Sequence, residues 1–578
     1  MNTKRVICFL LAIGLLISLA ACQSATTTTA AISVSPAATT IAGTTTTKVT
    51  APSYLNLNST LPICSTPVTM TLAYQNNDTG SVIVEPKNLW FFQWASKAMG
   101  INFDAKTLAA AAMKEQLNLW FASDQLPDVM LNCGLSTSDI VKYGSADKQL
   151  MQFDSLIEQY CPNIRKLFST EPETKGYSTC PDGHIYSLPG FSKYERSQNF
   201  TTMRVFLDEA WLQKLNKTKP ATLDDLYTLF VAVRDTDLNG NGKQDEIPFC
   251  GTAGQLGQLI WNAYGLLTYD GSGISALSPT INVNKSNQVT LAAANKEMYR
   301  DYLTRMNQYY KEKLLDNDAY TIDNAQITAK CSEKKVFMYA HTVPALAIPN
   351  GYESHGAVEP ITSSFNSKKI WPQSRGISIG KMVASSKSKI PEVIARFADW
   401  FFTDQAALYA FDGPEAGNKD LSGKNEGWTM KGDQGPNFNY TTEAPGLGDY
   451  RCRIVGMGDA FHVGLDSACI TIEQVSGIRP AYSAGAGTHW RVAMEKANVP
   501  YYTVGYPTIY FGVADNQKII ELTTPLSDYI KQMEAKFITG AEPLTNFENY
   551  MAELEKLGLS KLQKYYVDAY ASYIANMK

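Results

Sequence analysis

The run Asp235-Thr-Asp237-Leu-Asn239-Gly-Asn241-Gly-Lys243-Gln-Asp245-Glu246 has the composition of a loop built to hold a hard cation. Calcium takes about six to eight oxygen ligands, and a loop supplies them from carboxylates and amides at alternate positions, with glycine at the sharp turn. Counting from Asp235 puts Gly240 sixth and Glu246 twelfth, the spacing of an EF-hand loop. Counting from Asp237 puts Asn239 and Asn241 at alternate positions and Gly242 sixth, and Lys243 then gives its carbonyl. Lys243 favours the second register, because there its ammonium points outward instead of toward the ion. The expected ligands are Asp237, Asn239, Asn241, Lys243, Asp245 and Glu246, with Asp235 behind them. Such an ion would be structural, since protein oxygens fill the positions around it. The competing reading is a solvated Asn-Gly turn.

Catalytic constellations are sparser. Gly376-Ile-Ser378-Ile-Gly380 fits a nucleophile-elbow pattern, but an elbow turns into a helix directly after its serine, and residues 379–384 continue as strand. Five histidines with no H-E-x-x-H speak against zinc hydrolysis, and no G-x-x-x-x-G-K-[ST] is present to cradle phosphates. A glycosidase needs two carboxylates facing each other across a cleft, which 55 acidic residues neither support nor exclude by spacing. Eight cysteines follow Cys22. They are either disulfide partners, with Cys161–Cys180 and Cys452–Cys469 closing the shortest loops, or small buried core residues.

A net charge of −4 and the lack of a basic run argue against a nucleic-acid partner. Lys4 and Arg5 precede an apolar stretch over residues 6–21, short for a membrane span and typical of a signal segment. Leu19-Ala20-Ala21-Cys22 looks like a bacterial lipobox, which implies cleavage before Cys22 and a diacylglyceryl thioether on its sulfur. Residues 1–21 thus read as signal and the Thr-, Ala- and Ser-rich residues 22–65 as a flexible tether.

A chain of 578 residues is too long for one hydrophobic core. From residue 66, short strand-like runs alternate with amphipathic helices, so the expected class is α/β. Residues 68–74 alternate as a strand, residues 88–100 read as a helix closed by Gly100, and residues 101–103 open the next strand. Thr222 caps a helix whose inward face is Leu226, Leu229, Phe230 and Val233. Pro391 opens another, with Val393, Ile394, Phe397, Trp400 and Phe401 inward. Tyr550, Leu554 and Leu557 form a stripe stopped by Gly558, followed by a second stripe of Leu562, Tyr566, Ala569 and Tyr573.

Five landmarks then carry a family resemblance. They are Ala122-Ser-Asp-Gln-Leu-Pro-Asp128, Asp182-Gly-His-Ile-Tyr-Ser-Leu-Pro189, the run from Pro220-Ala-Thr-Leu through the loop to Phe249, Ser386-Lys-Ser-Lys-Ile-Pro-Glu-Val393, and Phe537-Ile-Thr-Gly540 through Tyr570. In this order they resemble the family 1 extracellular solute-binding lipoproteins of bacterial carbohydrate ABC importers, in the subclass typified by lipoprotein LplA and the alginate-oligosaccharide-binding proteins. Asp124 departs from the usual glycine, and the extra cysteines depart too. The resemblance implies a periplasmic-binding-protein type II-like fold of two α/β lobes joined by crossover hinge strands. Approximate lobes are 66–195 with 372–425, and 196–371 with 426–578. It also implies calcium at the six positions above, no enzymatic activity, and an oligosaccharide captured by lobe closure. A lipid-anchored monomer at the outer membrane face would deliver that sugar to permease subunits driven by a separate ATPase.

Sugar sites need aromatic faces for the C–H surface of the ring, and carboxylates, amides or arginines for its hydroxyls. Given the resemblance, the candidates are Trp261, Tyr264, Trp428, Trp490, Arg375, Asp124 and Asp128, each aromatic being weighed against plain core packing. The competing functions are a secreted carbohydrate-active hydrolase and a surface sugar adhesin or sensor without a transporter.

Overall fold

The computed structural model describes residues 51–57, 60–76, 84–191, 204–268, 273–341, 347–348, 354–373, 376–410, 413–414 and 498–576, and the backbone of 427–430, 436–439 and 464–465. The chain first lays down β1 (Val68–Asn76), β2 (Ile101–Ala109), β3 (Val129–Leu131) and β4 (Leu188–Phe191). It then leaves for β5 (Arg204–Asp208), β6 (Ile247–Cys250), a small meander of β7 (Leu266–Leu267), β8 (Pro279–Asn282) and β9 (Gln288–Leu291), and then β10 (Val336–His341) and β11 (His355–Ala357). It returns through β12 (Trp371–Gln373) to β13 (Ile377–Ala384), which inserts antiparallel between β4 and β3.

The first sheet therefore runs Gly464–Leu465, β4, β13, β3, β1, β2, and the second β11, β5, β10, β6. β1 pairs in parallel with β2 from Val68↔Ile101 to Asn76↔Ala109 without a slip. Its alternation explains why: Met70, Leu72 and Tyr74 enter one core and Ala73 the core on the opposite face, so a one-residue shift would force the large side chains into the space that fits Ala73. A second large core joins the second sheet, through Leu207 and Phe337, to the C-terminal helices Val513–Thr539, Phe547–Leu557 and Leu559–Asn576.

The helix signals appear where the sequence placed them. Trp90–Met99 ends at Gly100, whose φ of 70° is left-handed. The Leu223–Arg234 helix carries a reciprocal capping box, with Asp225 N donating to Thr222 Oγ1 (3.1 Å) and Thr222 N to Asp225 Oδ2 (3.0 Å). Pro391–Trp400 buries Val393, Ile394, Phe397 and Trp400. Gly558 closes Phe547–Leu557 at φ 105°.

Two expectations need correction, and of the two readings left open for the cysteines the described ones follow the buried-core reading. The stretch expected to be tether through residue 65 is packed earlier: the compact unit begins at Ala51, and Leu55, Ile63 and Cys64 are buried. The reason is local, since Cys64 N donates to Met99 O (2.9 Å) and these apolar residues cover the end of that helix. Cys161 and Cys180 form no disulfide, because they sit in cores on opposite faces of the first sheet; they are free and buried, as are Cys64, Cys133, Cys250 and Cys331. Cys452 and Cys469 lie outside the described residues. The strand Gly464–Leu465, assigned by sequence to the second lobe, pairs in parallel with β4 of the first sheet.

Candidate functional site

The 235–246 loop joins the Leu223–Arg234 helix to β6. Asp237 accepts from three loop amides, Gly240 N (2.7 Å) and Asn241 N (3.1 Å) on Oδ1 and Gly242 N (2.8 Å) on Oδ2. The side-chain amides of Asn239 and Asn241 both donate to Asp245 Oδ1, at 3.2 and 2.9 Å. Those bonds, Asn241's first, hold the Asp245 carboxyl below the usual range. Glu246 is buried, with Oε1 fixed by Leu238 N (2.7 Å) and Asn239 N (3.1 Å), while Oε2 has no hydrogen-bond partner. Asp235 is turned away by Arg234, which grips it through Nε (2.7 Å) and a terminal nitrogen (2.9 Å). The two asparagine amides thus gather on Asp245, Asp237 and Glu246 are held by loop N–H groups, and one enclosed Glu246 oxygen lacks a hydrogen-bond partner. These oxygen donors are of the type a hard cation takes, although among the described residues no three carboxylates lie together as a ready-made metal cluster.

The second locus is an edge. The chain leaves the first sheet at the carboxyl end of β4 and enters the second at the amino end of β5. β10 is antiparallel to β5 and β6 parallel to β10, so the carboxyl ends of β6 and β10 lie at that same edge. Open α/β sheets bind ligands outside the carboxyl ends of their strands. On the first sheet this edge presents Gln75, Asn132 and Lys381, from three adjacent strands. Lys381 Nζ donates to Asn132 Oδ1 (2.8 Å) and Asn132 N to Lys381 O (2.7 Å). Burial lowers the lysine's pKa. The second sheet presents Thr252, which caps the Ala253–Ala263 helix.

No family model matches the chain. In sequence it is 25% identical over 509 residues to the fructooligosaccharide ABC transporter substrate-binding protein FusA of Streptococcus pneumoniae, covering 83% of this chain and 87% of that one. The chain is a homologue of FusA along most of both lengths. FusA in complex with kestose superposes at a TM-score of 0.67 with 23% identity, over 88% of this chain and all of that one. A human-milk-oligosaccharide-binding solute-binding protein from Bifidobacterium longum infantis gives 0.70 at 17% identity, over 88% and 99%. FusA has also been solved as an EF-hand mutant, and the alginate-binding protein AlgQ2 (TM-score 0.62, 18% identity, 88% and 98% covered) without its calcium ion.

The aromatic candidates Trp261 and Tyr264, in and just after the Ala253–Ala263 helix, are core residues. Trp261 is 1% exposed and stacks on Tyr302 (centroids 4.8 Å apart), and Tyr264 is fully enclosed with its hydroxyl on Asp301. A helix wrapped on all sides offers no face to a sugar. Asp128 lies at the amino end of β3, away from the ligand-type edge. There it staples three segments: Thr71 N and Oγ1 donate to it at 2.9 and 2.7 Å, and Ser388 Oγ at 2.6 Å. Asp124 is the left-handed C-cap of the Ala110–Ser123 helix (φ 54°) and pairs with Lys387. A left-handed conformation is one that glycine adopts without strain, which accords with the glycine that the family resemblance leads one to expect there. Ser378 lies within β13 opposite Gly190, and the strand runs on to Ala384, so no elbow forms. Arg375, Trp490, the Trp428 side chain and Cys22 lie outside the described residues. Sequence reading missed Lys381 and Asn132. Their one local signal is a polar residue set against apolar ones, Asn132 directly after β3 and Lys381 within β13.

Proposed function

We propose that this protein is the substrate-binding component of a bacterial carbohydrate ABC importer, capturing an oligosaccharide between two lobes and delivering it to membrane permease subunits. The likeness to the fructooligosaccharide-binding protein along most of both chains carries this reading, and the two carboxyl edges joined by crossovers support it. A ligand touching both edges favours the closed form by its differential affinity for it. The protein performs no chemistry on the sugar: its homologues are transport binding proteins. Cys22 bears the anchoring lipid, so that a monomeric globule works at the extracellular face. Arg375, Trp428 and Trp490 remain proposed sugar contacts.

The loop is proposed to hold a structural calcium through Asp237, Asn239, Asn241, the Lys243 carbonyl, Asp245 and Glu246. The unpartnered Glu246 Oε2 supports this, as does the diversion of Asp235 to Arg234. The bound ion would supply positive charge to three carboxylates and pin a helix-to-strand connection.

Thermal melting of the mature chain against an oligosaccharide panel, in calcium and in chelator, tests both points. One glycan class should raise the midpoint, since ligand at about a hundred times its Kd adds about 2.7 kcal/mol, and no product should appear. Chelator should lower the midpoint with or without sugar. Cleavage of a glycan, or no shift from any, would remove the importer reading.

A further inference from the structure

The polar ledge at the carboxyl edge of the first sheet holds a cation that the described residues do not neutralise. Lys381 Nζ rests on the amide oxygen of Asn132 at 2.8 Å, and Asn132 N donates back to Lys381 O at 2.7 Å, so the ammonium is tied to the end of β3. Gln75, at the end of β1, borders the same ledge: a Cβ on Gly134 would lie 3.5 Å from its Oε1. Among the described residues, Lys381 takes part in no ion pair, whereas Lys387, six positions on, is paired with Asp124. Burial acts on the Lys381 ammonium with no carboxylate offsetting it. A buried charge left with only a neutral acceptor is costly and calls for a compensating partner.

The backbone around the ledge is unusual as well. Asn132 has φ 48° and Gly380 φ 71°, and β13 shifts register between Ser378 and Met382. A Cβ on Gly380 would lie 3.0 Å from Leu135 O, so the chain is pressed close there. Bulges of this kind re-aim a side chain, and left-handed residues gather where an arrangement serves a ligand.

We propose that Lys381 is the anion-recognising residue of the cleft: its ammonium, held by Asn132, takes the carboxylate of a uronate unit in the bound oligosaccharide. This rests on the carbohydrate-binding reading and adds the charge of the ligand to it. A neutral sugar would leave the ammonium uncompensated, which is how the ledge discriminates.

Titration calorimetry of wild type, Lys381→Gln and Lys381→Arg with oligogalacturonate, oligoalginate and kestose decides it. One of the two uronate sugars should bind wild type about tenfold or more tighter than kestose. Lys381→Gln should lose about tenfold for that uronate and less than about twofold for kestose, while Lys381→Arg keeps the uronate preference. Equal apo melting midpoints would show that the variants fold, and the wild-type preference is informative without them. Kestose bound at least as tightly as both uronates, or both classes weakened equally by Lys381→Gln, would overturn this inference and leave the importer reading standing. Wild type binding no sugar at all would overturn both.

Discussion

Glu534 sits where the Val513–Thr539 helix meets the helices carrying Tyr299 and Tyr550. Its carboxyl accepts from Tyr299 Oη (2.7 Å), which lies 2.7 Å from Tyr550 Oη. Burial raises its pKa to about 7. A carboxyl raised in this way stays protonated in the folded chain while the unfolded one ionises. Stability is therefore fully present below the unfolded value near 4.5, and is lost as pH rises toward 7. Glu534→Gln should match wild type at about pH 4 and exceed it by roughly 1–3 kcal/mol at about pH 8, discounted for partial exposure of the side chain. Urea unfolding at the two pH values checks this, and an equal gap at both would refute it. Nothing in the sequence announces this residue, since its partner lies 235 positions away. Lys381 and Asn132 are 249 apart. The calcium-type loop was legible for the opposite reason: its donors and the amides that orient them all fall between Asp235 and Glu246.

Elements follow the same division between local and distant causes. Thr222 with Asp225, Gly100 and Gly558 fix helix ends through bonds and torsions spanning a few residues, so sequence placed them. The insertion of β13 between β4 and β3 depends on partners far along the chain, and period-two alternation names a strand without naming its neighbour. Trp261 shows what this costs. Its helix carries aromatic residues suited to a sugar platform, yet the Lys296–Lys311 helix supplies Tyr299 and Tyr302 against it, closing the face a sugar would need. Trp261→Ala should therefore destabilise the fold by about 3–5 kcal/mol. In the fraction still folded, sugar affinity should change by less than about twofold. A stacking platform would behave the other way round, with lost affinity and a melting curve hardly moved. Denaturant unfolding and calorimetry on the same variant separate the two.

At the scale of the whole molecule, the crossover from β4 to β5 and the return through β12 to β13 give the chain two separately packed cores joined by a few strands. Such joints allow rotation without disturbing either core, because the φ/ψ change is absorbed in the connections. The cation loop, by contrast, lies between the Leu223–Arg234 helix and β6, both of which belong to the second core's side of the joint. Sugar and metal should then have separable effects. Saturation with the glycan that raises the melting point should shrink the radius of gyration by about 1 Å, because a ligand touching both edges draws them together. Removing calcium should lower the melting point and leave that radius, with or without sugar, nearly unchanged. Small-angle scattering on the four combinations of sugar and chelator measures this directly. A radius indifferent to sugar would mean that ligand binds one edge alone in a rigid frame, and a contraction abolished by chelator would mean that the loop controls the hinge.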